Sequence, residues 1–115
     1  MAETPLPGQP VRGSRTGQPV MALFDLLGRN WTMRILWELS HAGPCTFREL
    51  QGRCESVSPG VLNARLKELR ESQLVDLGAD GYRPTPLGRG LFDLLLPLDR
   101  WSKRWANSLA RNRSR

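Results

Sequence analysis

The apolar residues first fall into a helical rhythm over residues 19–27, where Val20, Leu23, Phe24 and Leu27 take positions i, i+3, i+4 and i+7 of one face. Pro19 suits the first turn of such a helix, where a missing N–H costs nothing, and Gly28 suits its end. Asn30 can cap a second helix over residues 31 to about 41. Trp31, Ile35, Leu36 and Leu39 point one way on it, while Met33 and Trp37 leave little of its surface polar. A helix apolar nearly all round belongs in the middle of a core. Gly43-Pro44 stops it. Thr46-Phe47-Arg48-Glu49 has the spacing of a capping box and opens a short third helix ending near Gly52. A break over residues 54–57 precedes Ser58-Pro59, a serine cap with proline at the first helical position. The fourth helix runs from there to about residue 72, with Leu62, Leu66 and Leu69 on one side. Residues 74–77 and 82–85 are short strands about Gly78-Ala79-Asp80-Gly81, whose Asp-Gly step suits a hairpin turn. Thr85-Pro86 repeats the cap-and-proline signal before a long helix carrying Leu91, Leu94, Leu95, Leu98, Trp101 and Trp105. Pro97, inside it, is expected to kink or divide it.

A short helix, a turn and a second helix with a polar outer face make a helix-turn-helix, and a hairpin directly after it makes the unit winged. The fold expected is therefore mainly α with a small β-hairpin: a winged helix-turn-helix over residues 19–110. Residues 1–18, rich in Pro and Gly, read as a flexible arm, and residues 111–115 as a basic tail. The stripe Leu94, Leu98, Trp101, Trp105 and Leu109 extends beyond what so small a core requires. It either packs on Leu23, Phe24 and Leu27 of the first helix or joins them in a two-fold dimer. The second reading makes the first and last helices dimerisation helices.

Composition narrows the function. The chain has 115 residues, enough for one domain, with 39% hydrophobic and 24% charged. Seventeen Lys and Arg against 11 Asp and Glu leave +6, which favours an anionic partner. No apolar run approaches the roughly 18 residues of a membrane span, and the start lacks a signal-peptide core, so a cytoplasmic, nucleoid-associated protein is expected. One histidine, His41, cannot build a multi-histidine metal site and reads as a polar cap at a helix end. No phosphate-binding glycine loop or nucleophile elbow is present, so neither an enzyme nor a cofactor is expected. Cys45 and Cys54 cannot form a disulfide framework. Cys45, beside a helix N-cap, is either a buried structural residue or a thiol activated by the helix dipole, and Cys54, in the turn, is expected to be the more exposed.

On a wheel of the fourth helix, Gly60, Asn63, Ala64, Lys67 and Glu71 lie opposite the leucines. A helix entering a major groove needs small residues for close approach, an amide for base edges and a cation for phosphate. Gly60 and Ala64 supply the first, Asn63 the second and Lys67 the third. The same residues also describe a plain solvated face. Ser58, with the amides of the helix start, can hold a phosphate. Arg65, on the flank, either touches phosphate or pairs with an acid such as Glu68 or Glu49. Arg83 is placed as a wing residue reaching the minor groove, or is an exposed strand arginine. Arg48 and Arg53 border the third helix and either touch the backbone or solvate the surface.

Pro19-Val20, Leu26-Leu27-Gly28, Trp31-Thr32, Ile35-Leu36 and Glu38-Leu39 resemble the opening of HxlR-type winged helix-turn-helix transcriptional regulators. The likeness continues through Phe47-Arg48-Glu49-Leu50, Ser58-Pro59, Val61-Leu62, Arg65-Leu66-Lys67 and Leu69. It closes with Leu74-Val75, Thr85-Pro86-Leu87-Gly88 and the late tryptophans, spanning about residues 18–107. The resemblance implies a bacterial, homodimeric regulator of double-stranded DNA, its recognition helix at residues 58–71, its wing near 78–83, and its dimer built by the first and last helices. An inverted-repeat operator follows from two-fold symmetry, and a small-molecule effector can fit between the dimer helices and the winged unit. Two positions depart from the pattern. Gln18 stands where many relatives have cysteine, and only four residues separate Leu77 from Tyr82, a short wing. A winged protein-interaction module that does not read DNA is the alternative function. A thiol sensor acting through Cys45 or Cys54 would be a layer on the first reading.

Overall fold

Each local signal that closes within four residues forms the element expected of it. In the computed structural model, which describes residues 3–113, the order is α1 (Pro19–Leu27), α2 (Thr32–Ala42), α3 (Phe47–Arg53), α4 (Pro59–Glu71), β1 (Val75–Gly78), β2 (Gly81–Pro84) and α5 (Pro86–Arg113). At the start of α3, Thr46 N–H donates to Glu49 Oε1 at 2.9 Å and Glu49 N–H donates to Thr46 Oγ1 at 3.2 Å, a complete capping box. These bonds hold the Glu49 carboxyl below its ordinary range. Ser58 Oγ accepts from Val61 N–H at 3.2 Å and opens α4 with Pro59 in the first turn.

The core forms around α2, which packs on α1, α3, α4, α5 and β2. Its residues Ile35, Leu36 and Leu39 meet Leu50 of α3, Leu62, Leu66 and Leu69 of α4, and Val75 of β1, all fully buried or nearly so. This is the expected winged helix-turn-helix, mainly α with one hairpin.

Four details differ from the sequence reading. The residue flanking α2 is Trp31, not Asn30. It sits in left-handed backbone at φ 73° with no side-chain cap, and its ring packs against the core. Burial of a large ring outweighs one capping bond here, and the Asn30 carbonyl instead accepts from Arg65 Nε at 3.0 Å. The strands keep the expected register but each lies one residue nearer the turn, at 75–78 and 81–84, pairing Val75 with Pro84 through Gly78 with Gly81 around Ala79-Asp80. Cys45 adds a third, one-residue strand: its N–H and carbonyl exchange bonds of 3.0 and 2.8 Å with Tyr82. Finally, α5 continues through Pro97 instead of dividing. The carbonyl that proline orphans belongs to exposed Asp93, where water can take the missing donor's place.

Gly88 explains its place in the Thr85-Pro86-Leu87-Gly88 run. A Cβ there would stand 2.1 Å from the Leu74 carbonyl oxygen, so only glycine lets the start of α5 cross the strand. Residues 3–18 lie against α1 and α4. Of the basic tail, residues 111–113 continue α5, and Ser114 and Arg115 lie outside the described residues.

One polar contact ties the layers together. Glu68, 8% exposed on α4, accepts from Arg29 Nη1 and from Arg65 Nη1, each at 2.5 Å. Truncating one member of a buried pair strands the other's charge. Glu68→Ala should lower stability by about 3 kcal/mol, read as a lower urea midpoint at unchanged slope. A loss under about 1 kcal/mol would rank the triad with ordinary surface pairs. The capping box predicts a pH dependence. Since folding depresses the Glu49 carboxyl, its contribution is complete above about pH 4.5 and fades as pH falls through the depressed value. The stability gap between wild type and Glu49→Gln, followed by thermal melts, should therefore shrink on acidification.

Candidate nucleic-acid interface

Because Leu62, Leu66 and Leu69 turn inward, α4 is forced to present the opposite row to solvent. Gly60, Asn63, Ala64, Lys67 and Glu71 are all exposed. Among the described residues, the side chains of Asn63 and Lys67 make no hydrogen bond or ion pair, so an amide and an ammonium stand ready one helical turn apart. Gly60 has open space where a Cβ would be. Ser58 is exposed at the helix start. Its oxygen already accepts from Val61, which leaves its O–H to donate outward.

The arginines divide. Arg65 takes the internal of its two alternatives: Nε donates to the Asn30 carbonyl and Nη1 to Glu68. Arg83 lies across from Asp76 in the hairpin and donates to its Oδ1 at 2.9 Å, its guanidinium resting over Gly78. The pair is half exposed, so Arg83 remains reachable from outside while partly neutralised. Arg48 is exposed on α3, and its side chain has no polar partner among the described residues. Ser58, Gly60, Asn63, Ala64 and Lys67 thus share one element and one face. Arg83 stands apart on the wing, Arg48 on α3, and Arg65 points back into the fold.

The turn between α3 and α4 is pinned from α2. Arg34 donates to the Arg53 carbonyl at 3.0 Å and reaches Glu55, which sits in left-handed backbone at φ 62°. Arg34 also pairs with Glu38 at 2.8 Å, and that bond raises its pKa further. This clamp was not visible in the sequence, because it joins residues about twenty positions apart. Neither was the reach of residues 3–9 to α4.

His41, in the last turn of α2, donates from Nδ1 to the Trp37 carbonyl at 2.9 Å, and its ring meets those of Trp37 (tilted) and Phe92 (edge-on), which also touch each other. Cys45 and Cys54 are both fully buried, so the expected exposure of Cys54 is not met: the turn folds inward and its side chain joins the core. Burial pushes both thiols up, against the smaller opposite pull of Arg53 on Cys45 and of Arg34 on Cys54. No group of three or more metal-ligating side chains occurs among the described residues. No helix among them is long and apolar enough to cross a membrane.

The proposed dimer residues are uncovered in the single chain. Leu94, Leu98, Trp101 and Trp105 are 72, 52, 50 and 55% exposed, and Phe24 on α1 is 58% exposed, with Leu23 and Leu27 half-buried beside it. Trp101 and Trp105 stack at 6.0 Å between ring centroids. The main partners of α5 are α2 and the hairpin, so packing on α1 does not hide the stripe.

Known proteins agree with this architecture. The profile of the HxlR-like helix-turn-helix family matches residues 26–110. A Bacillus subtilis protein described as an uncharacterized HTH-type transcriptional regulator, YdzF, is 28% identical over 90 residues, covering 72% of this chain and 83% of its own. The crystal structure of quinone-bound YodB from B. subtilis superposes with a TM-score of 0.69 at 28% identity, covering 74% of this chain and 96% of that one. A structure described as a possible HxlR family transcriptional factor from Thermoplasma volcanium also gives 0.69, at 24% identity, covering 78% of this chain and 86% of its own.

Burial of the thiols predicts slow chemistry. Both cysteines should resist iodoacetamide in the native protein at neutral pH and react fully once denatured, as mass spectrometry would show. Rapid native labelling of either would contradict the buried arrangement.

Proposed function

The chain belongs to the HxlR-like helix-turn-helix family of transcriptional regulators, and from that premise we propose that it works as a homodimer reading an inverted-repeat operator through α4. The observation that carries this is the outward row of α4, with small residues, one free amide and one free ammonium beside a serine-capped helix start. Asn63 reads a base edge, Gly60 and Ala64 allow close approach, and Lys67 and Ser58 hold phosphates. Arg48 and Arg83 reach the flanking backbone. Arg83 exchanges its bond with Asp76 for one to phosphate, and Arg65 acts from behind by orienting α4.

The exposed stripe of α5 with Phe24 of α1 supports the dimer. Apolar side chains half or more in water on consecutive turns mark a surface that a second copy covers. Two-fold symmetry then sets the recognition helices about one DNA turn, roughly 34 Å, apart. Between α2 and α5 a cavity of about 200 Å³, lined by Met33, Trp37, Leu95, Leu98, Asp99 and Ser102, opens at the edge of this stripe. It is the place for a small aromatic effector, held without a covalent bond because no cysteine lines it.

Fluorescence anisotropy against DNA from upstream of its own gene, beside a scrambled duplex, tests the reading. Preference for the first of about a thousandfold is expected, and equal binding to both would favour the protein-interaction alternative. Lys67→Ala should weaken binding to every sequence and reduce the salt slope by about one, whereas Asn63→Ala should relax preference at a single base position. Leu98→Glu should convert a dimer to a monomer in analytical ultracentrifugation. A wild-type monomer at micromolar concentration would refute the two-fold arrangement.

A further inference from the structure

The segment before α1 folds into a closed loop and lies against the outward side of α4. Gly8 N–H donates to the Gly17 carbonyl at 3.0 Å, Val11 and Ser14 exchange backbone bonds of 2.9 and 3.0 Å, and Arg12 N–H donates to the Asp25 carboxylate of α1 at 3.0 Å. Gly17 has φ +72°, and a Cβ on it would stand 2.3 Å from the Gln9 carbonyl oxygen, so this closure demands glycine. The loop delivers its first residues to α4. Thr4 Oγ1 donates to Glu71, and the Glu3 carbonyl accepts from Arg29 Nη2 at 2.8 Å. Together Glu3, Thr4, Leu6 and Gln9 form one wall of an open groove of about 660 Å³, whose other wall is Ala64, Lys67, Glu68 and Glu71.

Two of those α4 residues, Ala64 and Lys67, are assigned to DNA, and Glu71 continues their row. Gly60 and Asn63, nearer the helix start, lie outside the groove. Glu3 is the only acidic residue before Asp25, and the fold puts it in the groove that Lys67 lines. The segment thus brings its own acidic residue to the groove that Lys67 lines.

We propose that residues 3–17 are an autoinhibitory strap: closed, they occupy the Lys67 side of α4 and exclude the DNA backbone, and binding requires them to swing away. This rests on α4 being the DNA-reading helix. The hold is of the reversible kind. Of residues 3–10 only Pro5 is buried, and the bonds of Thr4 and Glu3 are exposed, each contributing about 1 kcal/mol. A strap so held opens within the binding free energy of a few phosphate contacts, yet lowers apparent affinity by the fraction of molecules it keeps closed.

The test uses the full chain and a labelled mixed-sequence duplex at low salt. Gly17→Val should open the loop and raise affinity at least about threefold, with circular dichroism unchanged. In the opposite direction, Thr4→Cys with Glu71→Cys can be tethered by a short bis-maleimide, since Cys45 and Cys54 are buried. The tethered protein should bind at least about tenfold more weakly than the same variant left unlinked. Weaker or equal binding by Gly17→Val, or equal binding with and without the tether, overturns the strap while α4 stays intact as the reader. Separately, if Asn63→Ala and Lys67→Ala leave every form unchanged, the α4 reading itself fails and the strap falls with it.

Discussion

A single carboxylate, Glu68, sets the pose of α4, the helix on which the proposed DNA reading depends. It sits between two guanidiniums, one from the corner joining α1 to α2 and one from its own helix a turn away. Desolvating three charges costs much of what their attraction returns, so the triad is better understood as a geometric specification than as a store of stability. Leucines at 62, 66 and 69 require only that one side of α4 face inward. They tolerate small rotations and slides that would carry Asn63 and Lys67 away from a common groove. A bond of fixed length and direction between Arg29 and Glu68 removes that freedom. Arg65, by holding Glu68 and the Asn30 carbonyl together, fixes the same corner from the other side.

The consequence spreads to the segment before α1. The second Arg29 nitrogen holds the Glu3 carbonyl, so one arginine links the α1–α2 corner, α4 and the proposed strap. Among the described residues of the helix-turn-helix, Arg48, Arg53, Lys67 and Arg70 carry no ion pair, whereas Arg29, Arg34, Arg65 and Arg83 are each paired with acids. A formal +6 therefore says that DNA is a suitable partner without saying which cations meet it.

That division marks where the sequence was legible. Thr46 with Glu49, Ser58-Pro59 and the leucine spacing of α4 carry their information within one or two turns, and the elements they announce are where they were expected. The outward row of α4 was readable as the complement of its inward one. What could not be read depends on partners far along the chain or across a strand: Trp31 rather than Asn30 at the start of α2, Cys45 as a third strand on Tyr82, Arg83 bound to Asp76, and Thr4 on Glu71. The Pro- and Gly-rich segment misleads most. Its composition describes a chain with little to bury, and the loop it forms is closed by backbone bonds and a left-handed glycine.

A short wing and one reading helix together argue for two-fold assembly. The hairpin spends only Ala79-Asp80 on its loop, and its arginine is held by Asp76, so the wing adds little reach. A single amide reading one base pair supplies about 1–3 kcal/mol of discrimination, far below the 4–10 kcal/mol that separates specific from non-specific sites. One copy of α4 cannot close that gap from the residues it presents. A second copy doubles the base contacts at fixed spacing, and the leucine and tryptophan stripe left in water on α5 gives it a place to dock. On the proposed reading, the uncovered apolar face and the sparse outward row of α4 are two sides of one requirement: two copies would be needed to complete one site.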